Sequence, residues 1–149
     1  MSAGEYCNRE VVVVEKDEPV RTAVNLMRHY HVGDVVVVEK RDDVQLPLGI
    51  LTDRDIVVEI LAEDVDIDAV NVGDVMSYKL VTVSEDTKLV DTIKLMRDKG
   101  IRRLPVTNGQ GALVGILTVD DILELVAEQL TDIVGLVRTE QNREIRQRK

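Results

Sequence analysis

Short apolar runs and helically spaced apolar residues alternate along the first half of the chain. Three runs are rich in β-branched or other aliphatic residues and predict strands, at residues 11–14, 35–38 and 48–51. The run at 35–38 is four consecutive valines, which is typical of a strand buried on both faces. Apolar residues at helical spacing predict one helix at 20–31 and a second helix that begins at Thr52.

The second half of the chain shows the same order of patterns. Strands are predicted at residues 80–83, 104–107 and 113–117, and helices at residues 89–99 and from Thr118 onward. A charged segment at 40–45 and the Asn-Gly-Gln-Gly segment at 108–111 predict the turns that join the last two strands of each half. The expected fold is of the α/β class, in its α+β form, with two β-α-β-β-α units.

Two pairs of matching segments indicate that the chain is an internal duplication. Residues 49–56, GILTDRDI, and 115–122, GILTVDDI, are identical at six of eight positions. A Leu-Met-Arg triplet occupies the same place in the predicted helices of residues 22–32 and 91–101. The duplicated unit covers about residues 11–62 and 80–130.

One unit of roughly fifty residues is small for independent folding, so two units are expected to cover each other about a pseudo-two-fold axis. This arrangement brings equivalent residues of both units to a central cleft. We assign repeat 1 to residues 8–65, a linker to 66–79, repeat 2 to 80–132 and a basic C-terminal tail to 133–149.

Composition and charge narrow the classes of function. The chain has no Trp, no Phe and three Tyr, so its core must be aliphatic. A net charge of -9 disfavours binding to nucleic acids and to anionic membrane surfaces. One cysteine, Cys7, together with the lack of a signal peptide or membrane-length apolar run, favours a cytoplasmic protein.

Two charged segments have open interpretations. The basic tail is either a solvated helix end or a segment that docks on a partner or on a symmetry mate. An acidic run at 63–68 could bind a divalent cation, but it lacks the glycine and final glutamate of a calcium loop, so a solvated linker is expected.

The duplicated Gly-Ile-Leu-Thr-x-x-Asp-Ile motif, placed after a Leu-Met helix and a buried valine strand, resembles the cystathionine-β-synthase-type (CBS) domain in tandem. The resemblance covers about residues 11–130. It implies a regulatory module that binds an adenosine-containing ligand, such as AMP, ADP, ATP, NAD or S-adenosylmethionine. It also implies a homodimer and a separate, unidentified regulated protein.

The Thr-x-x-Asp segments that begin at Thr52 and Thr118 have two interpretations. A Thr at the N-cap with an acidic residue three positions later can cap the helix without any ligand. Alternatively, the carboxylates of Asp55 and Asp121 accept hydrogen bonds from two ribose hydroxyls, while the Thr hydroxyl and helix amides reach a phosphate. Both interpretations can hold together.

The resemblance implies that each cleft is shared between the repeats. Thr52 and Asp55 are paired with residues of repeat 2, which are Thr82, Ile101, Arg102, Arg103 and Pro105. Thr118 and Asp121 are paired with residues of repeat 1, which are Val13, Val32, Gly33, Asp34 and Val35. Arg102 and Arg103 suit phosphate, whereas Asp34 repels it, so the cleft with Thr52 is expected to bind better.

Two other classes of function compete with ligand sensing. A structural dimerisation module would have the same fold with empty clefts. An enzyme would need a nucleophile with a base, a Walker-type phosphate loop or a metal cluster, and the sequence contains none of these motifs. We therefore expect neither catalysis nor a catalytic cofactor, and an adenine nucleotide as regulatory ligand.

Overall fold

The structure is a computed structural model that describes residues 1–148. It divides into two compact units, of which the first comprises residues 1–117 and the second begins at Thr118. The first unit contains two three-stranded sheets, one from each half of the chain. The mixed α and β content agrees with the predicted fold class.

The first sheet has the order β1-β2-β3, with β1 at Val13–Glu15, β2 at Asp34–Arg41 and β3 at Val44–Thr52. β1 and β2 are parallel, so helix α2 (Val20–Tyr30) serves as the crossover between them. β2 and β3 form an antiparallel hairpin. Its turn is at Asp42 and Asp43, which both have positive φ, as a two-residue hairpin turn requires.

This hairpin is longer than the sequence pattern predicted. The segment 40–45 was expected to be a turn, but the strands continue to Arg41 and resume at Val44. The charged side chains of this part of the hairpin are exposed to solvent. The two strands pair there through their backbones, although the sequence does not alternate between apolar and polar residues.

The second sheet has the order β4-β5-β6, with β4 at Val83–Ser84, β5 at Arg103–Thr107 and β6 at Leu113–Thr118. Helix α5 (Leu89–Lys99) connects the parallel strands β4 and β5. It ends at Gly100 with φ 64°, and α2 ends at His31 with φ 55°, so both crossover helices close with a left-handed residue.

The core of the first repeat lies between its sheet and helix α2. The four valines of β2 are 0–1% exposed, as expected for a strand covered on both faces. Around them pack buried residues of β1, α2, β3 and the segment of residues 72–76, which include Val14, Ala23, Met27, Leu51, Val72 and Met76. Burial of these aliphatic side chains supplies the main driving force for folding, since the chain has almost no aromatic residues.

The segments that precede each repeat are exchanged between the repeats. We call residues 2–8 leading segment 1; this segment contains helix α1 (Ala3–Tyr6) and packs on repeat 2. Two hydrogen bonds make the contact: Ala3 N–H donates to Thr87 O at 2.8 Å, and Gly4 N–H donates to Glu85 O at 2.9 Å. This contact ties the start of the chain to the second half.

Leading segment 2 comprises residues 71–77, and it makes the corresponding contacts with repeat 1. Its helix α4 (Val72–Val75) is bonded through Val72 N–H to Glu18 O at 2.9 Å and through Gly73 N–H to Lys16 O at 2.8 Å. The segment expected to be a simple linker thus contains a helix whose Val72 is fully buried.

Two isolated bridges complete the exchange. Asn8 pairs with Ile116 in repeat 2, and Ser77 pairs with Ile50 in repeat 1. A signal for this exchange was present in the sequence: SAGEYCN and NVGDVMS share a capping residue, a glycine and an acidic residue at equal spacing. Sequence reasoning missed it because the identity between the segments is low.

The acidic run at 63–68 folds as a short connection. Helix α3 (Asp53–Ile56) continues as a π-helical turn at Val57–Leu61, and a 3₁₀ turn follows at Ile67–Ala69. Asp68 forms a bidentate ion pair with Arg21 of α2, at 2.6 and 3.0 Å, on an exposed surface. The Arg21 hydrogen bond lowers the pKa of Asp68 below its usual range.

The second unit is helix α6 (Val119–Gln147), which includes most of the predicted basic tail. Thr118 is its N-cap. Within residues 1–148, no helix combines the length and the apolar character that crossing a bilayer requires.

Candidate functional site

A pocket of about 270 Å³ lies between the two repeats of the first unit. Repeat 1 contributes the end of strand β3, and repeat 2 contributes the loop before β5 and the segment that follows leading segment 2. The lining residues are Ile50, Thr52, Ser77, Lys79, Leu80, Val81, Ile101, Arg102 and Arg103. We call this the first pocket.

The lining of the first pocket has an apolar part and a cationic part. Aliphatic side chains of Ile50, Leu80 and Ile101 can pack on a flat, weakly polar ring system. Lys79 and Arg102 place positive charge on the same pocket, which suits a phosphate group. The arrangement can therefore bind a ligand that joins an aromatic base to an anionic group.

Thr52 and Asp55 form a capping box at the start of α3. Asp55 N–H donates to Thr52 Oγ1 at 3.1 Å, and Thr52 N–H donates to Asp55 Oδ2 at 2.9 Å. Asp55 is half-buried, and within residues 1–148 its Oδ1 makes no hydrogen bond. One carboxylate oxygen thus stabilises the helix start, and the other is available to accept hydrogen bonds.

Thr118 and Asp121 form the same capping box at the start of α6. Asp121 Oδ2 accepts from the N–H of Thr118 at 2.8 Å and from its hydroxyl at 2.8 Å. The capping interpretation therefore holds at both motifs. Thr118 and Asp121 belong to the second unit, so their partnership with residues 13 and 32–35 remains a prediction.

Arg103 is bound by an acidic residue of the other repeat. Its Nε lies 2.7 Å from Oδ1 of Asp34, and the two side chains are 35% and 12% exposed. Burial raises the pKa of Asp34 above its ordinary value, while the Arg103 guanidinium partly opposes the rise. Arg103 is therefore paired rather than solvated, because Asp34 balances much of its charge, and its contact with a phosphate remains a prediction.

Gly33 precedes Asp34 and leaves room for this ion pair. A Cβ at Gly33 would lie 3.2 Å from Arg103 Nη2 and 3.1 Å from Asp53 Oδ2. A larger residue would crowd both charged groups. The space around the Asp34–Arg103 ion pair therefore explains a glycine at position 33 without any contact to a ligand.

A second pocket, of about 640 Å³, occupies the corresponding place in repeat 1. It is lined by Asn8, Glu10, Val11, Val12, Val13, Leu26, Tyr30 and Val32. Glu10 stands where the first pocket has Lys79, and the uncharged Gly33 is at the position equivalent to Arg102. Glu10 therefore gives the second pocket a negative charge where Lys79 gives the first pocket a positive one.

The predicted site residues divide into three groups. Those that line the first pocket are Thr52, Ile101, Arg102 and Arg103, and those that line the second are Val13 and Val32. Those of the first unit that lie outside both linings are Asp55, Thr82, Pro105, Gly33, Asp34 and Val35, whereas Thr118 and Asp121 belong to the second unit. Pro105 and Val35 are buried in strands, and Thr82 is exposed.

Sequence reasoning missed five residues of the first pocket, which are Ile50, Ser77, Lys79, Leu80 and Val81. Ser77 and Lys79 were missed because residues 66–79 were treated as a linker. A signal was present for Lys79: an alignment of the two repeats places it at the position of Glu10, and the two residues have opposite charges. As for metals, no cluster of three or more His, Cys, Asp or Glu residues within residues 1–148 is placed to hold an ion.

The fold and the paired clefts define a module of two tandem repeats, and comparison with known proteins identifies its family. The CBS domain profile matches residues 3–62 and 72–128, and the chain therefore belongs to the CBS domain family. Each match begins at the second residue of a leading segment, in agreement with the place of these segments in the fold.

Curated relatives support the assignment. The uncharacterized protein MK0525 of Methanopyrus kandleri is 40% identical over 128 residues, which cover 84% of this chain and 62% of that protein. The mitochondrial CBS domain-containing protein CBSX3 of Arabidopsis thaliana is 34% identical over 115 residues, which cover 76% of this chain and 55% of that protein. The match thus spans less than two thirds of each of these relatives.

A solved structure with a similar fold contains a nucleotide. The cytosolic domain of the Mg²⁺ channel MgtE, in complex with ATP, superposes with a TM-score of 0.70 at 29% identity. The match covers 83% of this chain and 48% of that one.

Proposed function

We propose that the chain is a regulatory module that binds an adenosine-containing ligand carrying phosphate in the first pocket. The observation that carries this proposal is the composition of the pocket: an aliphatic lining from both repeats adjoins Lys79 and Arg102. The ATP-bound relative of the same fold supports an adenine nucleotide as the ligand class. A role in sensing, without catalysis, accounts for these features.

The size of the pocket favours a mononucleotide. Small-molecule sites are commonly about 300–1,000 Å³, and the first pocket, at about 270 Å³, is just below that range. Among the ligands of the predicted class, AMP, ADP and ATP fit this size better than NAD does. S-adenosylmethionine carries no phosphate, and its single carboxylate is accompanied by an ammonium and a sulfonium cation, so it would neutralise Lys79 and Arg102 less well than a nucleotide phosphate does.

In the proposed complex, adenine packs between Ile50 and Ile101, and the phosphate reaches Lys79 and Arg102. The ribose lies near the start of α3, where Asp55 Oδ1 accepts hydrogen bonds from the vicinal hydroxyls. The Thr52 hydroxyl adds a neutral donor for the phosphate, whereas the first amides of α3 already donate to Gly33, Asp53 and Thr52. Arg103 takes part only to the extent that the phosphate displaces Asp34.

Thermal unfolding of the chain with AMP, ATP, NAD and S-adenosylmethionine tests the proposal. A ligand present at about 100 times its Kd stabilises the folded state by about 2.7 kcal/mol, so AMP or ATP should raise the Tm. If none of the four ligands shifts the Tm, ligand binding in the first pocket is wrong and a purely structural module is favoured.

Asp55→Ala and Asp121→Ala form a matched pair for the ribose contact. Each variant loses the same capping box, at a cost of about 1 kcal/mol. Asp55→Ala should also abolish the shift caused by AMP, whereas Asp121→Ala should retain it. An equal ligand shift in both variants would limit Asp55 to its capping role.

A further inference from the structure

Strand β5 contains a proline where the equivalent strand of repeat 1 has a valine. Pro105 aligns with Val36, and both residues are buried. β5 is the central strand of its sheet, whereas prolines are normally confined to edge strands, because they cannot donate a ladder hydrogen bond. Since a valine fills the same place in repeat 1, packing alone does not account for the proline.

The proline removes one backbone hydrogen bond, which repeat 1 identifies. Val36 N–H donates to Val12 O at 3.0 Å, one residue before the start of β1. Pro105 has no N–H, so the equivalent bond to Val81 O cannot form. The parallel ladder of repeat 2 accordingly has two residue pairs, whereas that of repeat 1 has three.

The peptide groups of Val81 are therefore unpaired. Within residues 1–148, neither the N–H nor the C=O of Val81 makes a hydrogen bond. In an extended segment the N–H and the C=O of one residue point to the same side. Val81 thus offers one donor and one acceptor side by side.

These open groups belong to the first pocket. Val81 is half-buried and is part of the pocket lining. Because β4 and β5 are parallel, the residues before β4 face the residues before β5, and these two segments, 79–81 and 101–103, line the first pocket together. A ligand between them can reach both peptide groups of Val81.

The second pocket lacks this pair of open groups. Val12 lines it at the position equivalent to Val81, but Val12 O already accepts from Val36 N–H. The two pockets therefore differ in their capacity to bind a polar edge, and the difference comes from one residue.

We propose that Pro105 makes the first pocket selective for a 6-aminopurine, because it keeps the peptide groups of Val81 free to bind the edge of the base. The inference rests on the proposed function and names the part of the ligand that sets specificity. Adenine presents an amino donor at C6 beside a ring-nitrogen acceptor at N1, which complements the acceptor and the donor of Val81. Pro105 makes no contact with the ligand and acts as a positioning residue.

Hypoxanthine and guanine present the reverse pattern at the same edge. Each has a carbonyl oxygen at C6 and an N–H at N1, so oxygen would face Val81 O, and the two N–H groups would face each other. Polar groups that lose their water without gaining a partner weaken binding strongly. Inosine monophosphate (IMP) should therefore bind at least about 30-fold more weakly than AMP, although the two share ribose and phosphate.

Isothermal titration calorimetry of the unmodified chain with AMP, IMP and purine riboside 5′-monophosphate tests the selectivity. The third ligand keeps the acceptor at N1 and has no substituent at C6, so it loses one hydrogen bond without introducing a mismatch. Its affinity should lie between those of AMP and IMP. This measurement needs no variant, so it does not depend on how a substitution affects folding.

Pro105→Val tests the role of the proline. It introduces an N–H that can donate to Val81 O, as Val36 donates to Val12 O in repeat 1. We expect the Kd for AMP to rise about tenfold and that for IMP to change by no more than a few-fold, so the preference for AMP shrinks. Pro47→Val makes the same replacement in β3, outside both pocket linings, and should leave the preference unchanged.

The outcomes separate this inference from the proposed function. Equal affinities of the unmodified chain for AMP and IMP, or a preference for AMP that Pro105→Val leaves intact, would overturn the role of Pro105 and keep the nucleotide site. A chain that binds neither nucleotide would overturn both.

Discussion

Asp34 and Arg103 occupy equivalent positions in the two repeats, and they form an ion pair with each other, with Arg103 Nε 2.7 Å from Asp34 Oδ1. The duplication has therefore diverged into opposite charges at one place, and the fold brings these charges together. The pair joins the repeats next to the first pocket and sets how much positive charge that pocket offers to a ligand.

Asp34→Asn should strengthen the binding of phosphate-carrying ligands. The substitution removes the charge that neutralises Arg103 while it preserves the shape of the side chain. We expect the Kd for AMP to fall roughly three- to tenfold, in line with one added charge-assisted contact at a partly exposed site. Isothermal titration calorimetry measures this change.

Adenosine is the matched ligand for this experiment, because it lacks the phosphate. Its affinity should be the same for Asp34→Asn and for the unmodified chain. An equal gain for AMP and adenosine would show that Arg103 does not approach the phosphate.

The stability of the chain should depend on pH through Asp34. Burial, as the largest effect, raises its pKa above the ordinary value of 3.8, with Arg103 in partial opposition. The folded state then holds the proton more tightly than the unfolded state does. The resulting stabilisation is complete below the ordinary pKa and is lost as the pH rises through the raised pKa.

Urea denaturation of the unmodified chain and of Asp34→Asn across this range measures the effect. The free energy of unfolding of the unmodified chain, relative to that of Asp34→Asn, should decrease from about pH 4 upward and then become constant. A relative increase with pH would mean that attraction to Arg103 outweighs burial.

Lys79 and Glu10 should have opposite effects on nucleotide binding. Lys79→Glu places the charge of the second pocket in the first, and we expect at least about a tenfold loss in affinity for AMP. Glu10→Lys makes the reverse change at the equivalent position and should leave binding in the first pocket unchanged. The two variants have equal and opposite changes in net charge, so a general charge effect would shift the Kd in opposite directions by similar amounts.

Gly49 should tolerate no side chain, because leading segment 2 lies against it. A Cβ at Gly49 would collide with the Ser77 backbone oxygen and with the Met76 side chain. Gly49→Ala should therefore destabilise the chain by about 1–3 kcal/mol in chemical denaturation. Gly109→Ala is the control, since nothing lies within 4 Å of the added Cβ. Similar stability of the two variants would show that the leading segment does not pack closely on β3.

The glycine of the duplicated motif thus has a structural explanation in both repeats. Gly115 is covered by leading segment 1, with the Asn8 backbone oxygen 2.9 Å from the position of an added Cβ. Sequence comparison showed that this glycine is repeated. The reason for the glycine lies in a distant part of the chain, because leading segment 1 packs against Gly115 only in the folded protein.

The sequence alone determined the duplication, the order of elements and the helix starts at Thr52 and Thr118, since periodicity and capping act over a few neighbouring residues. Tertiary structure decided the exchange of the leading segments, the ion pair between Asp34 and Arg103, and the place of Lys79 in the first pocket. These features depend on contacts between residues that are far apart in the chain. No local pattern specifies which of two similar repeats a segment packs on, because that choice depends on the space and hydrogen bonds that the folded partner offers.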